Sequence, residues 1–166
     1  HGKTTTTSML THIFMQAQRD PTVMIGGSLP LLGAGHRVGR GDTIILESCE
    51  YCNSFLNFFP TAAVILDVDA DHLDFFKDLA DVEHSFRAFA ALVPAGGLIV
   101  ANGDDANTAD ALRGMDYVRF GFAETNDVCG KNFSADFREF DVYCGGALYC
   151  HPHLGVLGRH NAMNAL

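Results

Sequence analysis

The 166-residue sequence is poor in basic charge, in lysine and in long apolar runs, and each shortage narrows what the chain can be. Eleven Lys and Arg face twenty Asp and Glu, a net charge of −9. That balance disfavours a generic binder of nucleic acid or of an anionic membrane, both of which call for a basic surface. No stretch approaches the roughly 18 uninterrupted apolar residues of a membrane-spanning helix. A leader pattern of basic, apolar and small-residue regions is also missing. The five cysteines (Cys49, Cys52, Cys129, Cys144, Cys150) are odd in number and scattered, unlike a disulfide framework. They read as reduced thiols of a cytoplasmic protein. What is abundant is apolar: 48% hydrophobic against 19% charged residues, the composition of a folded chain rather than a disordered one. The length suits one domain with a sizeable core.

Hydrophobic runs and turn residues give the order of elements. Thr4 to Gln18 reads as a helix, with Met9, Ile13 and Ala17 on one face. Thr22 to Ile25 reads as a strand ending at Gly26-Gly27, and Ser28 to Asp42, rich in glycine, as mostly loop. Thr43 to Glu47 and Ala62 to Asp67 are apolar strands that end in acids. Asp81 is the expected N-cap of a helix with Val82, Phe86, Phe89, Ala90 and Val93 on its apolar face. A strand at Leu98 to Ala101, a helix at Asn107 to Arg113 and a strand at Tyr117 to Phe120 follow. Continuous apolar strands separated by helices predict an α/β fold, a mostly parallel sheet with helices on both faces. Short segments from about Asn132 to Leu157, broken by Gly145-Gly146 and Pro152, predict an antiparallel edge.

Chemistry concentrates at the start. Gly2-Lys3-Thr4, opening a helix, is the second half of a P-loop, G-x-x-x-x-G-K-[ST]. Free N–H groups and the dipole of a helix start favour an anion there. Lys3 offers a positive charge to the β/γ-phosphates, and the Thr4 hydroxyl can ligate Mg²⁺. Lysine occurs only at Lys3, Lys77 and Lys131, so its presence at this helix start is informative. The bland alternative is a solvated lysine beside a threonine cap. In an open parallel sheet, ligands bind at the carboxyl ends of strands. Glu47, Asp67, Asp69, Asp71 and His72 are therefore expected near the phosphate site, where oxygen donors suit Mg²⁺ and His72 a second divalent ion. They can also be read as ordinary turn-forming loop residues. Cys49 and Cys52 form a C-x-x-C, with Cys144, Cys150, His151 and His153 as conceivable zinc partners, but the spacing matches no standard finger or ribbon.

HGKTTTTSM, ILESCEYCNSFLNFFP, VDADHLDFFKD, NGDD and GRHNAMNAL, in this order, resemble the central domain of the Mur ligase family. The resemblance covers essentially the whole chain and is strongest to the branch that joins L-alanine to UDP-N-acetylmuramate in peptidoglycan synthesis. It implies an ATP- and Mg²⁺-dependent ligase acting through an acyl phosphate. The family's phosphate-binding residues fall on Gly2, Lys3, Thr4 and Thr5, with His1 beside them. Its magnesium-binding glutamate falls on Glu47 and its metal-binding histidine on His72. Its adenine-contacting asparagines fall on Asn161 and Asn164, next to His160. Lys3 and His72 are the expected catalytic groups, and Thr4, Glu47 and His72 the expected metal ligands.

Departures from the family pattern are also informative. Asp67 stands where the family usually has Asn, and no lysine lies between Lys77 and Lys131, where several members carry a carbamylated one. The first half of the P-loop is missing, and GRHNAMNAL stops as a helix begins. The expectation is a central ATP-binding domain over residues 1–166, cut short at both ends, with acceptor and amino-acid sites on flanking domains and no ligation by this segment alone. The rivals are another family member, such as the ligase that attaches recycled tripeptide, a P-loop ATPase or kinase of different substrate, and a noncatalytic Cys/His metal domain.

Overall fold

Two sheets organise the chain, and each belongs to its own compact unit. The computed structural model describes residues 1–166. The first unit is Gly2–Ser48 and the second Cys49–Asn164, with His1 and Leu166 grouping with the second and Ala165 with the first.

In the first unit, helix α1 (Lys3–Gln16) leads into β1 (Thr22–Leu29), β2 (Ala34–Arg37) and β3 (Ile44–Leu46). The sheet order is β2-β1-β3, with β1 antiparallel to β2 and parallel to β3. Val23, Ile25, Leu29 and Ile45 form its buried core, and Leu10 and Phe14 of α1 pack on it. Thr7 and Thr11 are the buried residues of α1. The Thr11 hydroxyl donates to the Thr7 carbonyl at 2.8 Å, which satisfies it inside the fold.

Two readings of this region are corrected. The strand does not end at Gly26-Gly27 but runs through them to Leu29, and the presumed loop after it contains β2. Glycine is what this pairing requires: a Cβ on Gly35 would stand 2.8 Å from the Gly27 carbonyl oxygen. Gly35 marks a close strand pairing, whereas Gly33, Gly39 and Gly41 lie outside the strands, so the stretch is still mostly loop. Helix α1 also stops two residues early, because Gln18 adopts a left-handed φ of 57°.

The second unit carries a six-stranded sheet, β4 (Ala62–Ile65), β5 (Leu98–Asn102), β6 (Val118–Gly121), β7 (Val128–Lys131), β8 (Asp141–Cys144) and β9 (Ala147–Cys150), in sequence order. β4 to β7 are parallel, and β7, β8 and β9 are antiparallel. The α/β class with an antiparallel edge is as the sequence indicates. Helices α2 (Leu79–Ala90), α3 (Ala106–Ala111) and α4 (Arg159–Ala165) complete the unit. Ala63, Ile65 and Ala101 of the strands share one core with Val82, Phe89 and Ala90 of α2 and with Ala111 and Leu112. The N-cap of α2 is Asp78, not Asp81: the Asp78 carboxylate accepts the Asp81 N–H at 3.0 Å. Asp81 instead lies in the first turn, where its charge suits the helix dipole. No helix is long and apolar enough to cross a membrane.

Candidate functional site

In the first unit Thr4 of the expected phosphate segment meets Glu47, an expected metal ligand. Gly2 caps α1 with a left-handed φ of 78°, a conformation that glycine adopts without strain, and no side chain caps that helix start. The first-turn N–H groups are thus not blocked by a capping side chain. Thr4, the second residue of the helix, donates its hydroxyl to Glu47 Oε1 at 2.8 Å. The Gly26 N–H donates to Glu47 Oε2 at 2.6 Å. A helix start, a strand end and a backbone amide therefore fix one carboxylate. A Cβ on Gly26 would lie 2.9 Å from Glu47 Oε1, so only glycine lets the strand approach this closely. The Thr4 and Glu47 oxygens are a donor pair of the hard kind that Mg²⁺ takes, and they fit that ion.

In the second unit a different set converges. A 3-10 turn at Tyr51–Asn57, kinked where Cys52 and Asn53 take positive φ, is nailed to the core by Phe55. The Phe55 ring stacks on Phe89 at 4.7 Å and meets Phe86 edge-on at 5.3 Å. This anchorage presents Glu50 and Tyr51 at the near end of the turn. Opposite lies the loop after β4. There His72 takes a left-handed φ of 55°, its N–H bonded to Asp71 Oδ1 at 2.8 Å. The His72 carbonyl accepts from Phe75 and the buried Phe76. Glu50 Oε1 stands 3.5 Å from His72 Nε2. Ligand atoms of Glu50, Asp71 and His72 all lie within 4.8 Å of one another. The Tyr51 hydroxyl donates to Asp74 Oδ2 at 3.0 Å, and that donated bond, with the carboxylate charge, raises the phenol above its usual range.

The loop itself is tied down from the segment after β5. Asn102 Nδ2 donates to the Leu66 carbonyl at 2.9 Å and Asn107 Nδ2 to the Val68 carbonyl at 2.8 Å. Asp105 Oδ2 accepts the Val68 N–H at 3.1 Å as well as the Thr108 N–H at 2.9 Å, which caps α3. The NGDD segment thus positions the histidine loop, a function that no spacing rule reveals. Glu50 was also missed as a ligand candidate, since an acid in a loop gives no signal of its own. The single signal available was its place in E-x-x-E, three residues after Glu47.

The remaining expected residues fall as follows. His1 meets Asp67 through its amino nitrogen at 2.7 Å. Asp67 is not in the cluster formed by Glu50, Asp71 and His72. Asn161 Nδ2 donates to the Leu157 carbonyl at 2.7 Å, at the start of α4. The His160 imidazole folds against Gly158, whose Cβ would stand 3.0 Å from Cε1. The conceivable zinc set does not assemble: all five cysteines are free, and none belongs to the ligand cluster. His151 and His153 instead pair with Asp141 and Glu139 at 2.5 and 2.9 Å.

The Mur ligase middle domain family matches residues 1–166. This chain belongs to that family. A UDP-N-acetylmuramate–L-alanine ligase of Caldanaerobacter subterraneus is 44% identical over all of this chain, which covers 37% of that protein. The crystal structure of the UDP-N-acetylmuramate:L-alanyl-gamma-D-glutamyl-meso-diaminopimelate ligase of Neisseria meningitides superposes with a TM-score of 0.88 at 30% identity. The match covers 99% of this chain and 56% of that one. The UDP-N-acetylmuramate-alanine ligase of Thermotoga maritima superposes at 0.84 and 27% identity, over 99% of this chain and 37% of that chain. The chain therefore spans little more than a third of the length of the curated relatives it matches.

Proposed function

We propose that this chain is the ATP-binding part of a ligase that joins L-alanine to UDP-N-acetylmuramate. The observation that carries the reading is the Thr4–Glu47 pair, a helix-start hydroxyl bonded to a strand-end carboxylate directly after Gly2-Lys3. The alanine-adding branch is favoured by the 44% identity to a relative of that name. The superposition on a tripeptide-adding ligase favours the second reading, in which the acceptor is the same and the amine belongs to a peptide.

A carboxylate is a poor acylating agent. In the proposed reaction the carboxylate oxygen of UDP-N-acetylmuramate attacks the γ-phosphorus of ATP, giving an acyl phosphate and ADP. The amine of L-alanine then attacks the acyl carbon, and phosphate leaves as the amide forms. Phosphoryl transfer rests mostly on positioning and charge neutralisation. Gly2, Thr5 and the residues beside them, His1 included, supply backbone and hydroxyl donors to the phosphates. Lys3 places its charge on the β/γ-oxygens, and Thr4 and Glu47 hold Mg²⁺. Bound Mg²⁺ supplies charge neutralisation to the phosphates. His72, with Glu50 and Asp71, holds a second divalent ion. Asn161, Asn164 and His160 face the adenine. Acceptor and amino-acid sites belong to the rest of the longer protein, and the 166 residues alone are expected to make no amide.

The test is ADP release by the full-length protein carrying this segment, with each substrate withheld in turn. Release that requires both UDP-N-acetylmuramate and L-alanine is expected. Release with ATP alone identifies a plain ATPase, and release dependent on a tripeptide in place of alanine identifies the second reading.

A further inference from the structure

We infer that Tyr51 is a positioning residue that holds the His72 imidazole in its ligating orientation; the inference rests on the metal reading of His72. A ligand histidine is usually oriented by a carboxylate or carbonyl bonded to its second ring nitrogen. Here an aromatic ring lies against the imidazole in a tilted contact. The Tyr51 ring lies 4.8 Å from the His72 imidazole, tilted by 42°. The same Tyr51 is closed onto the histidine turn by its hydroxyl, bonded to Asp74 Oδ2 at 3.0 Å, two residues beyond His72.

The clasp is backed from the core outward. Phe75 meets Tyr51 edge-on at 6.1 Å and Phe76 edge-on at 4.9 Å, and Phe76 is buried. On the other side Tyr51 adjoins Glu50 in sequence, within the turn that Phe55 anchors. One aromatic residue thereby links the two donors, Glu50 and His72, whose loops come from different parts of the chain. The turn that carries His72 is itself tight, with His72 at a left-handed φ of 55°, a region that histidine enters more readily than most non-glycine residues.

The clasp has two separable parts, ring and hydroxyl. Tyr51→Phe keeps the ring and opens the bond to Asp74, whereas Tyr51→Ala removes both. The experiment follows Mn²⁺ binding to the full-length protein by electron paramagnetic resonance, with His72→Ala defining the histidine-dependent site. Imidazole NMR resonances of the metal-free protein and urea unfolding are recorded alongside. Tyr51→Ala should weaken the His72-dependent site by about tenfold or more, in the range of outer partners of metal ligands. Tyr51→Phe should weaken it less, shift or broaden the His72 resonances, and leave the unfolding midpoint in place. Normal Mn²⁺ affinity and unchanged His72 resonances in Tyr51→Ala would overturn the positioning role while leaving the metal site intact. Loss of no Mn²⁺ site in His72→Ala would overturn both.

Discussion

Gly26 and Glu47 are locked together: the Gly26 N–H donates to Glu47 Oε2 at 2.6 Å, and a methyl group at position 26 would stand 2.9 Å from Oε1. Gly26→Ala should therefore push the carboxylate off Thr4. The displaced atoms are the tip of a flexible side chain, so the effect should fall on the Glu47 geometry more than on stability. A higher Mg²⁺ requirement for ADP release, with little change in urea midpoint, is the expected effect in the full-length protein. An unchanged Mg²⁺ requirement would show that Glu47 does not act through this geometry.

Lys3→Ala should remove most ATP-dependent activity. A charge-assisted bond contributes roughly 1.5–3 kcal/mol, corresponding to about 10- to 150-fold in binding or rate. Steady-state turnover at limiting and at saturating ATP measures the loss. Turnover unchanged from that of the unsubstituted protein under both conditions would remove Lys3 from the phosphate site.

Asp67→Asn should preserve amide synthesis and the fold, because the amide is nearly isosteric with the carboxylate and Asp67 is not in the ligand cluster. The removed charge should weaken divalent-ion binding modestly, which Mg²⁺ titration of activity reads out. Abolished synthesis would give Asp67 a role in the chemistry itself.

Asp127 should make the six-stranded sheet acid-sensitive. The Arg119 side chain donates to its carboxylate, as does the Arg119 backbone N–H, and both hold the Asp127 carboxyl below its ordinary value. A lowered folded-state value stabilises the native form fully above the unfolded value, near 3.9. That contribution is lost as pH falls through the lower, folded value. Asp127→Asn should thus reduce the difference in urea midpoint between pH 6 and pH 3. Both side chains are nearly half exposed, so the change should be small. An undiminished difference would assign the acid response to other carboxylates.

The parallel strands were legible because β4, β5 and β6 are short apolar runs between turn residues. The meeting of Thr4 with Glu47 was legible because a helix-start motif and an apolar strand ending in an acid each mark their place in the sequence. β2 was not legible, since Gly35 reads as a loop residue unless the carbonyl it faces is known. Asp78 and Asp81 both offer a cap, and only the path of the chain decides that Asp78 takes it. Glu50 and Asp105 act through partners far away in sequence, and such pairings leave no periodic trace.

The shared carboxylate of Asp105 makes two distant backbone sites one thermodynamic unit. Its Oδ2 receives the Val68 N–H of the histidine loop and the Thr108 N–H of α3 together. An opening that withdraws this oxygen exposes both amides at once. Loosening the start of a six-residue helix therefore also frees the base of the loop that bears His72. In hydrogen exchange the two amides should carry a common opening free energy, so that the helix cap serves as a remote gauge of how firmly the histidine is held.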